Sequence, residues 1–143
     1  MFIGEYRHNT DSKGRIIVPA RFRDELGNRL FLTKGLDGCI TVYTPTQWDT
    51  IIEELNKLPN TKKESRQYIR MVTSSAAECE VDSAGRILMP QNLMDDAGIR
   101  KECVVLGVSN HVEIWAVDRW KAYSLEASAA YENVAEDVTE YIK

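Results

Sequence analysis

The chain has little of what small catalytic or disulfide-built proteins rest on: its 143 residues include only three cysteines, two histidines, four prolines and eight glycines. Cys39, Cys79 and Cys103 are odd in number, far apart and without a C-x-x-C pair, which argues against a disulfide framework or a zinc site and for a reducing cytosol. No run approaches the ~18 to 20 apolar residues of a membrane span, and the stretch from Met1 to Arg7 lacks the apolar core of a signal peptide. A cytoplasmic protein with no membrane partner is therefore expected. The glycines stand singly, without the G-x-G-x-x-G or G-x-x-x-x-G-K-[ST] patterns that cradle phosphates. His8 and His111 sit in no local metal-ligand or nucleophile motif. The neighbouring acids Glu53-Glu54 and Asp95-Asp96 read as solvated helix faces, and Cys39 and Cys103 as buried, inert thiols. No enzyme, cofactor or metal site is expected.

Nor is there a surplus of positive charge, since 18 Lys and Arg stand against 22 Asp and Glu, a net of -4. With 43% apolar residues the chain can bury a core that needs no staple. Taken at face value the acidity disfavours nucleic acid, but it averages two unlike halves. Residues 1–71 hold 12 Lys and Arg against 9 Asp and Glu, whereas residues 72–143 hold 6 against 13.

What the chain does have is an internal repeat. Asp11-Ser12-Lys13-Gly14-Arg15-Ile16-Ile17-Val18-Pro19 aligns with Asp82-Ser83-Ala84-Gly85-Arg86-Ile87-Leu88-Met89-Pro90 at an offset of 71, and Asp24 and Gly27 then match Asp95 and Gly98. At an offset of 72, Gly35, Ile40, Val42, Tyr43 and Trp48 fall opposite Gly107, Val112, Ile114, Trp115 and Trp120. Asp-Ser-x-Gly supplies turn residues, with Gly14 and Gly85 suited to positive φ, and a short strand follows each. Pro19 and Pro90 stop those strands, so 19–26 and 90–97 read as short helices ending before Gly27 and Gly98. A hairpin follows in each half: Arg29–Leu36 with Cys39–Tyr43 around Asp37-Gly38, and Glu102–Val108 with His111–Ala116 around Ser109-Asn110.

Helical additions decorate the repeats. Thr44-Pro45-Thr46-Gln47 reads as a capping box before Trp48, Ile51, Ile52, Leu55 and Leu58 at helical spacing. Thr61 with Glu64 caps an expected second helix carrying Tyr68, Met71 and Val72, and Asp118 starts a third through Trp120 and Tyr123. The tail from Asn133 to Lys143 is a further helix, whose Val134, Val138, Tyr141 and Ile142 are expected to pack on the body ahead of docking on a neighbouring subunit. The organisation reads as a first repeat with helix (1–58), a linker helix (59–75), a second repeat (76–120) and a C-terminal helical extension (121–143), together one compact domain.

Arg7, Lys13, Arg15, Arg21 and Arg23 crowd around the first turn, strand and helix, where arginine's planar fork suits phosphates and the guanine edge. A structural ion pair of Arg15 with Asp11, or of Arg86 with Asp82, is the other reading.

The opening Met1-Phe2-Ile3-Gly4-Glu5-Tyr6, the run from Asp11 to Arg23 and the second D-x-x-x-R copy at Asp82–Arg86 resemble the bacterial MraZ family along essentially the full chain. A single copy would point only to the broader AbrB-like swapped-hairpin superfamily. The resemblance implies an α+β, mainly β fold: a tandem, pseudo-symmetric swapped-hairpin β-barrel with peripheral helices, both halves in one chain. It also implies a DNA-binding transcriptional regulator, expected to act as a repressor of its own division and cell-wall gene cluster. Such a protein binds short direct repeats in promoter DNA as a homo-oligomeric ring of eight or twelve subunits and is associated with the nucleoid. Carried over by position are Asp11, Arg15, Asp82 and Arg86 with the basic Lys13, Arg21 and Arg23; with Arg7 from the charge cluster, the expected DNA-binding residues are Arg15, Arg86, Lys13, Arg7, Arg21 and Arg23, and Asp11, Asp82, Gly14 and Gly85 shape the turns. Ala84, Asn92 and Met94 replace Lys13, Arg21 and Arg23 in the second copy, so the halves are expected to contribute unequally. The rival reading is an oligomeric scaffold in which both D-x-x-x-R turns are structural.

Overall fold

The structure is a computed structural model and describes residues 1–142. Both halves unfold the same order of elements from the same local signals. The first runs β1 (Phe2–Asn9), β2 (Arg15–Ile17), α1 (Ala20–Leu26), β3 (Arg29–Lys34) and β4 (Ile40–Tyr43); α2 (Pro45–Asn56) and α3 (Lys63–Ser74) follow. The second runs β5 (Ala77–Glu80), β6 (Arg86–Leu88), α4 (Gln91–Ala97), β7 (Glu102–Ser109) and β8 (His111–Ala116), then α5 (Val117–Ala129) and α6 (Tyr131–Val138). The short helices begin one residue after their prolines, because Pro19 and Pro90 keep an extended ψ of 134° and 140° at the N-cap. At the first hairpin Asp37 and Gly38 both take positive φ, 65° and 86°, as a tight Asp-Gly turn requires.

The repeats interleave rather than sit side by side. β1 pairs antiparallel with β7 of the other half, from Phe2 opposite Ser109 to Asn9 opposite Glu102, while β5 pairs with β3. β4 and β8 join the two hairpins, and the resulting sheet has the order β1-β7-β8-β4-β3-β5. β2 and β6 pair only with each other, forming a two-stranded ribbon. The expected closed barrel is not what these hydrogen bonds form: the six-stranded sheet is open, with β1 and β5 at its edges. The reason is local. Each Asp-Ser-x-Gly turn breaks the ladder between an edge strand and the ribbon strand that follows it, and the ribbon then satisfies itself across the repeats.

The main core lies between the sheet, the ribbon and the two short helices, with Phe2, Ile16, Phe22, Leu30, Ile87, Leu93 and Ile114 all buried. Phe2 and Tyr6 meet Phe22 edge to face at 5.6 and 5.2 Å between ring centroids, so β1 is anchored on α1. A second cluster of Cys39, Val104, Leu106, Trp115 and Val117 packs with Trp120 of α5. Burial pushes the Cys39 thiol up to about 12 and the Cys103 thiol up to about 11, which keeps both protonated and unreactive at neutral pH.

Each repeat also opens on a strand that its sequence does not announce, β1 and β5. Three expectations are corrected. Thr61 does not cap α3: the N-cap is Lys62, without a side-chain bond, and Glu64 instead lies in the first turn, where its charge suits the helix dipole. Asp118 likewise sits inside the first turn of α5, whose N-cap is Ala116. The tail does not pack on the body, since α6 and the 3-10 turn after it (Thr139–Ile142) bury no residue. Lys143, the last residue of that expected helix, lies outside the described residues. The Thr44 cap does form, with Gln47 N–H donating to Thr44 Oγ1 at 3.1 Å.

Candidate nucleic-acid interface

The ribbon brings the two D-x-x-x-R motifs together. Its register sets Arg15 opposite Leu88, Ile16 opposite Ile87 and Ile17 opposite Arg86. Directly opposed residues share a face, so Ile16 and Ile87, 1% and 2% exposed, point into the core. Arg15, Ile17, Arg86 and Leu88 form the outward face, with the arginines on one diagonal and the half-exposed Ile17 and exposed Leu88 on the other. These two apolar residues belong to the site and were not singled out beforehand. The signal was the period-two alternation of Arg15-Ile16-Ile17 and Arg86-Ile87-Leu88, which turns every second side chain outward.

Each turn is built around its aspartate. Asp11 Oδ1 accepts from the backbone N–H of Lys13 and of Arg15, both at 2.9 Å, and Asp82 Oδ1 accepts from Ala84 and Arg86 N–H at the same distance. The second oxygen takes the arginine: Arg15 Nε donates to Asp11 Oδ2 at 2.6 Å and Arg86 Nε to Asp82 Oδ2 at 2.9 Å. The copies also touch, because Arg86 Nη1 lies 3.9 Å from Asp11 Oδ2. Both arginines are thus held through Nε, which fixes the guanidinium plane while side chains about a third exposed keep their outer edges in water. The expected ion pairs exist, and a clamp of this kind orients a fork as readily as it occupies one.

The Arg15 backbone N–H, with its side chain in support, holds the Asp11 carboxyl below the usual carboxylate range, and the Arg86 N–H does the same for Asp82. A lowered folded pKa means that this stabilisation is complete above the ordinary aspartate value and is lost as the pH falls through the lowered one. Asp11→Asn and Asp82→Asn should therefore melt below the unmodified protein at pH 7, with the gap closing as the pH falls below ~4. Thermal melts from pH 7 to 3 would show it; a gap that persists unchanged in acid would mean that the carboxylates do not hold the turns.

The other basic residues divide. Lys13 is exposed at the tip of the first turn, and Arg7 and Arg21 are exposed on β1 and α1; none of the three forms an ion pair among the described residues. Arg23 is tied to its own repeat and reaches over the other: its Nε donates to the Val18 carbonyl at 2.9 Å, and its guanidinium lies so close over Gly85 that a Cβ there would meet it at 2.5 Å. Met94, at the matching position, covers Gly14 in the same way, 3.3 Å from where a Cβ would stand. Arg23 is therefore first a seal on the second turn, although it remains exposed. Gly14 and Gly85 take φ of 81° and 78°, the left-handed region expected of them. Val18 N–H donates to the Gly85 carbonyl and Met89 N–H to the Gly14 carbonyl at 2.9 and 3.0 Å, so each turn is stitched to the other copy's strand.

Elsewhere the described residues contain no group of three or more His, Cys, Asp and Glu placed to hold a metal ion. No helix among them is long and apolar enough to cross a membrane.

Comparison with known proteins identifies the family of the chain. The family model described as "MraZ protein, putative antitoxin-like" matches twice, over residues 1–71 and 72–141. A protein named transcriptional regulator MraZ from Ligilactobacillus salivarius is 48% identical over 141 residues, covering 99% of each chain. One of the same name from Desulforamulus reducens is 49% identical over 142 residues, covering 99% of this chain and all of the relative. Another, from Lactobacillus delbrueckii, is 50% identical over 138 residues. Two full copies of the family's repeat, and near one-half identity from end to end, mean that the chain belongs to the MraZ family of transcriptional regulators.

Proposed function

We propose that this chain is a non-enzymatic, sequence-specific regulator of transcription that binds double-stranded promoter DNA through the outward face of the β2–β6 ribbon. The supporting observation is the pair of arginines, one from each repeat, oriented by carboxylates on a surface that also carries Ile17 and Leu88. A clamped guanidinium suits a phosphate or the guanine edge, and exposed aliphatic groups beside it suit a thymine methyl. Lys13, Arg7, Arg21 and the outer edge of Arg23 add phosphate attraction from the first repeat, while Ala84, Asn92 and Met94 give the second less. An uneven pair of sites fits direct repeats, which lack the palindromy that a symmetric dimer needs.

In this reading the interleaved halves are an AbrB-like swapped arrangement held in one chain, and the subunits assemble into a ring of eight or twelve. Several subunits then engage successive promoter repeats near ~10 bp apart, and their linkage raises avidity by ~10²- to 10⁴-fold over one site. The target is the protein's own division and cell-wall gene cluster, the net effect repression, and the place of action the nucleoid within the cytoplasm. Two subunits contacting ~6 phosphates would release counterions enough to weaken binding ~10³-fold between 50 and 200 mM salt. Gel shifts of a repeat-bearing promoter fragment at graded salt test this, and footprinting gives the repeat spacing. Salt-independent binding would overturn it. The scaffold reading draws on one observation, that both arginines are ion-paired, and a protein that shifts no promoter fragment would favour it.

A further inference from the structure

The C-terminal arm, residues 131–142, is a sticky surface with no cover. Tyr131, Val134, Val138, Tyr141 and Ile142 are spaced to form one helical stripe, yet they are between 45% (Val138) and 85% (Tyr141) exposed. The same segment carries Glu132, Glu136, Asp137 and Glu140 and no lysine or arginine.

On a different part of the subunit a groove has the complementary character. Tyr68 and Met71 of α3 are 44% and 46% exposed, Leu36 is 70% exposed, and together with Val72 they line a cavity of about 360 Å³. The groove continues past Gln67 and Met71 to Lys63, Arg66 and Arg70. From Lys62 to Met71 the helix carries four basic residues and a single acid, Glu64. Its wall is firm, because Thr33 Oγ1 of β3 donates to the Val72 carbonyl at 2.6 Å and Ser75 Oγ to the Met71 carbonyl at the same distance.

We propose that the arm of one subunit lies in the α3 groove of a second copy of this chain, its apolar stripe over Tyr68 and Met71 and its acids against Lys63, Arg66 and Arg70. The spacing of the stripe is that of a helix read by a groove, and opposite charge fixes the partner and register. In the ring proposed above the contact runs head to tail, arm to groove, and not as a reciprocal exchange between two subunits. Each added subunit presents one free arm and one free groove until the chain of subunits closes on itself. The inference rests on the oligomeric part of the function proposed above and not on its DNA-binding part, so its test contains no DNA.

Full-length Met71→Cys and Val138→Cys proteins, both in a Cys79→Ala background, would be mixed and oxidised, with Cys39 and Cys103 left in place because both are buried. A disulfide-linked dimer from the mixture, absent from either protein alone, is expected. Charge reversal by Arg66→Glu with Arg70→Glu should weaken assembly at least ~10-fold in light scattering, and adding Glu136→Lys with Asp137→Lys should restore it. An oligomer of unchanged mass that gives no cross-link in the mixture, or that ignores charge reversal, overturns the docking and leaves the oligomer standing. An unmodified protein that scatters as a monomer overturns both.

Discussion

Arg15→Ala combined with Arg86→Ala should abolish measurable binding of the promoter fragment while leaving the folded protein and its assembly in place. A specific arginine contact is worth ~1 to 3 kcal/mol. Two arginines on each of two engaged subunits make four contacts, so even the lower value gives a loss of nearly ~10³-fold. The fold should survive because both guanidiniums lie at the surface and the pairs they make with Asp11 and Asp82 are solvated. The aspartates keep their backbone N–H partners in the double variant, so the turns persist. The single changes should rank. Arg15→Ala should weaken binding more than Arg86→Ala, because Lys13 and Arg21 stand in the first copy where Ala84 and Asn92 stand in the second. Gel shift against circular dichroism and light scattering is the measurement. A double variant that binds as the unmodified protein does would make both arginines turn clamps and nothing more.

Gly107→Ala should be the most damaging single methyl in the chain. Gly107 faces Gly4 across the β1–β7 pair, and a Cβ on it would meet Ile3 N at 2.4 Å, Phe2 C at 2.5 Å and Ile3 Cα at 2.7 Å. These are backbone atoms of a paired strand and cannot swing aside as a side chain does. To admit the methyl, β1 must lift, which draws Phe2 away from Phe22 and loosens the core. Overpacking with partial loss of an edge strand should cost ~3 kcal/mol or more, a fall in Tm of about 10 °C. Gly98→Ala is the control: at φ 66° and ψ 26° it sits in the left-handed helical region, and its added Cβ would meet only the end of the flexible Arg119 side chain, so about 1 kcal/mol is expected. Melts of the two variants that coincide would count against the β1–β7 register.

The repeat, both hairpins, the short helices and the Thr44 cap were legible because each is written in residues next to one another: Asp-x-x-Gly for a turn, proline for a stop, Asp-Gly for a hairpin. β1 and β5 were not legible. Their alternation is shallow: after the buried Phe2 only Tyr6 and His8 of β1 are half buried, and in β5 only Ala77 and Cys79. What makes them strands is a partner in the opposite repeat, a relation between residues some hundred positions apart in the case of β1. Separation along the chain also hid the role of Arg23, which reads as one more cation in a basic run until Gly85 is seen beneath it. The stripe of the tail was visible, but the spacing of apolar residues says that a face exists and not what it meets. Both arginines of the candidate site were found from the repeat, whereas their apolar companions Ile17 and Leu88 emerged only when the ribbon register showed which side faces out.

The crossing of the two copies has a consequence for how this protein can change over time. In a dimer of identical short chains, any substitution at the position of Arg23 would alter both turns at once, so the two ends of the ribbon would have to stay alike. Here Arg23 covers Gly85 and Met94 covers Gly14, two solutions to one packing problem held in the same molecule. Joining the copies in one chain has released them from that shared inheritance. One turn can drift toward charge and the other toward grease while the frame that holds them stays the same.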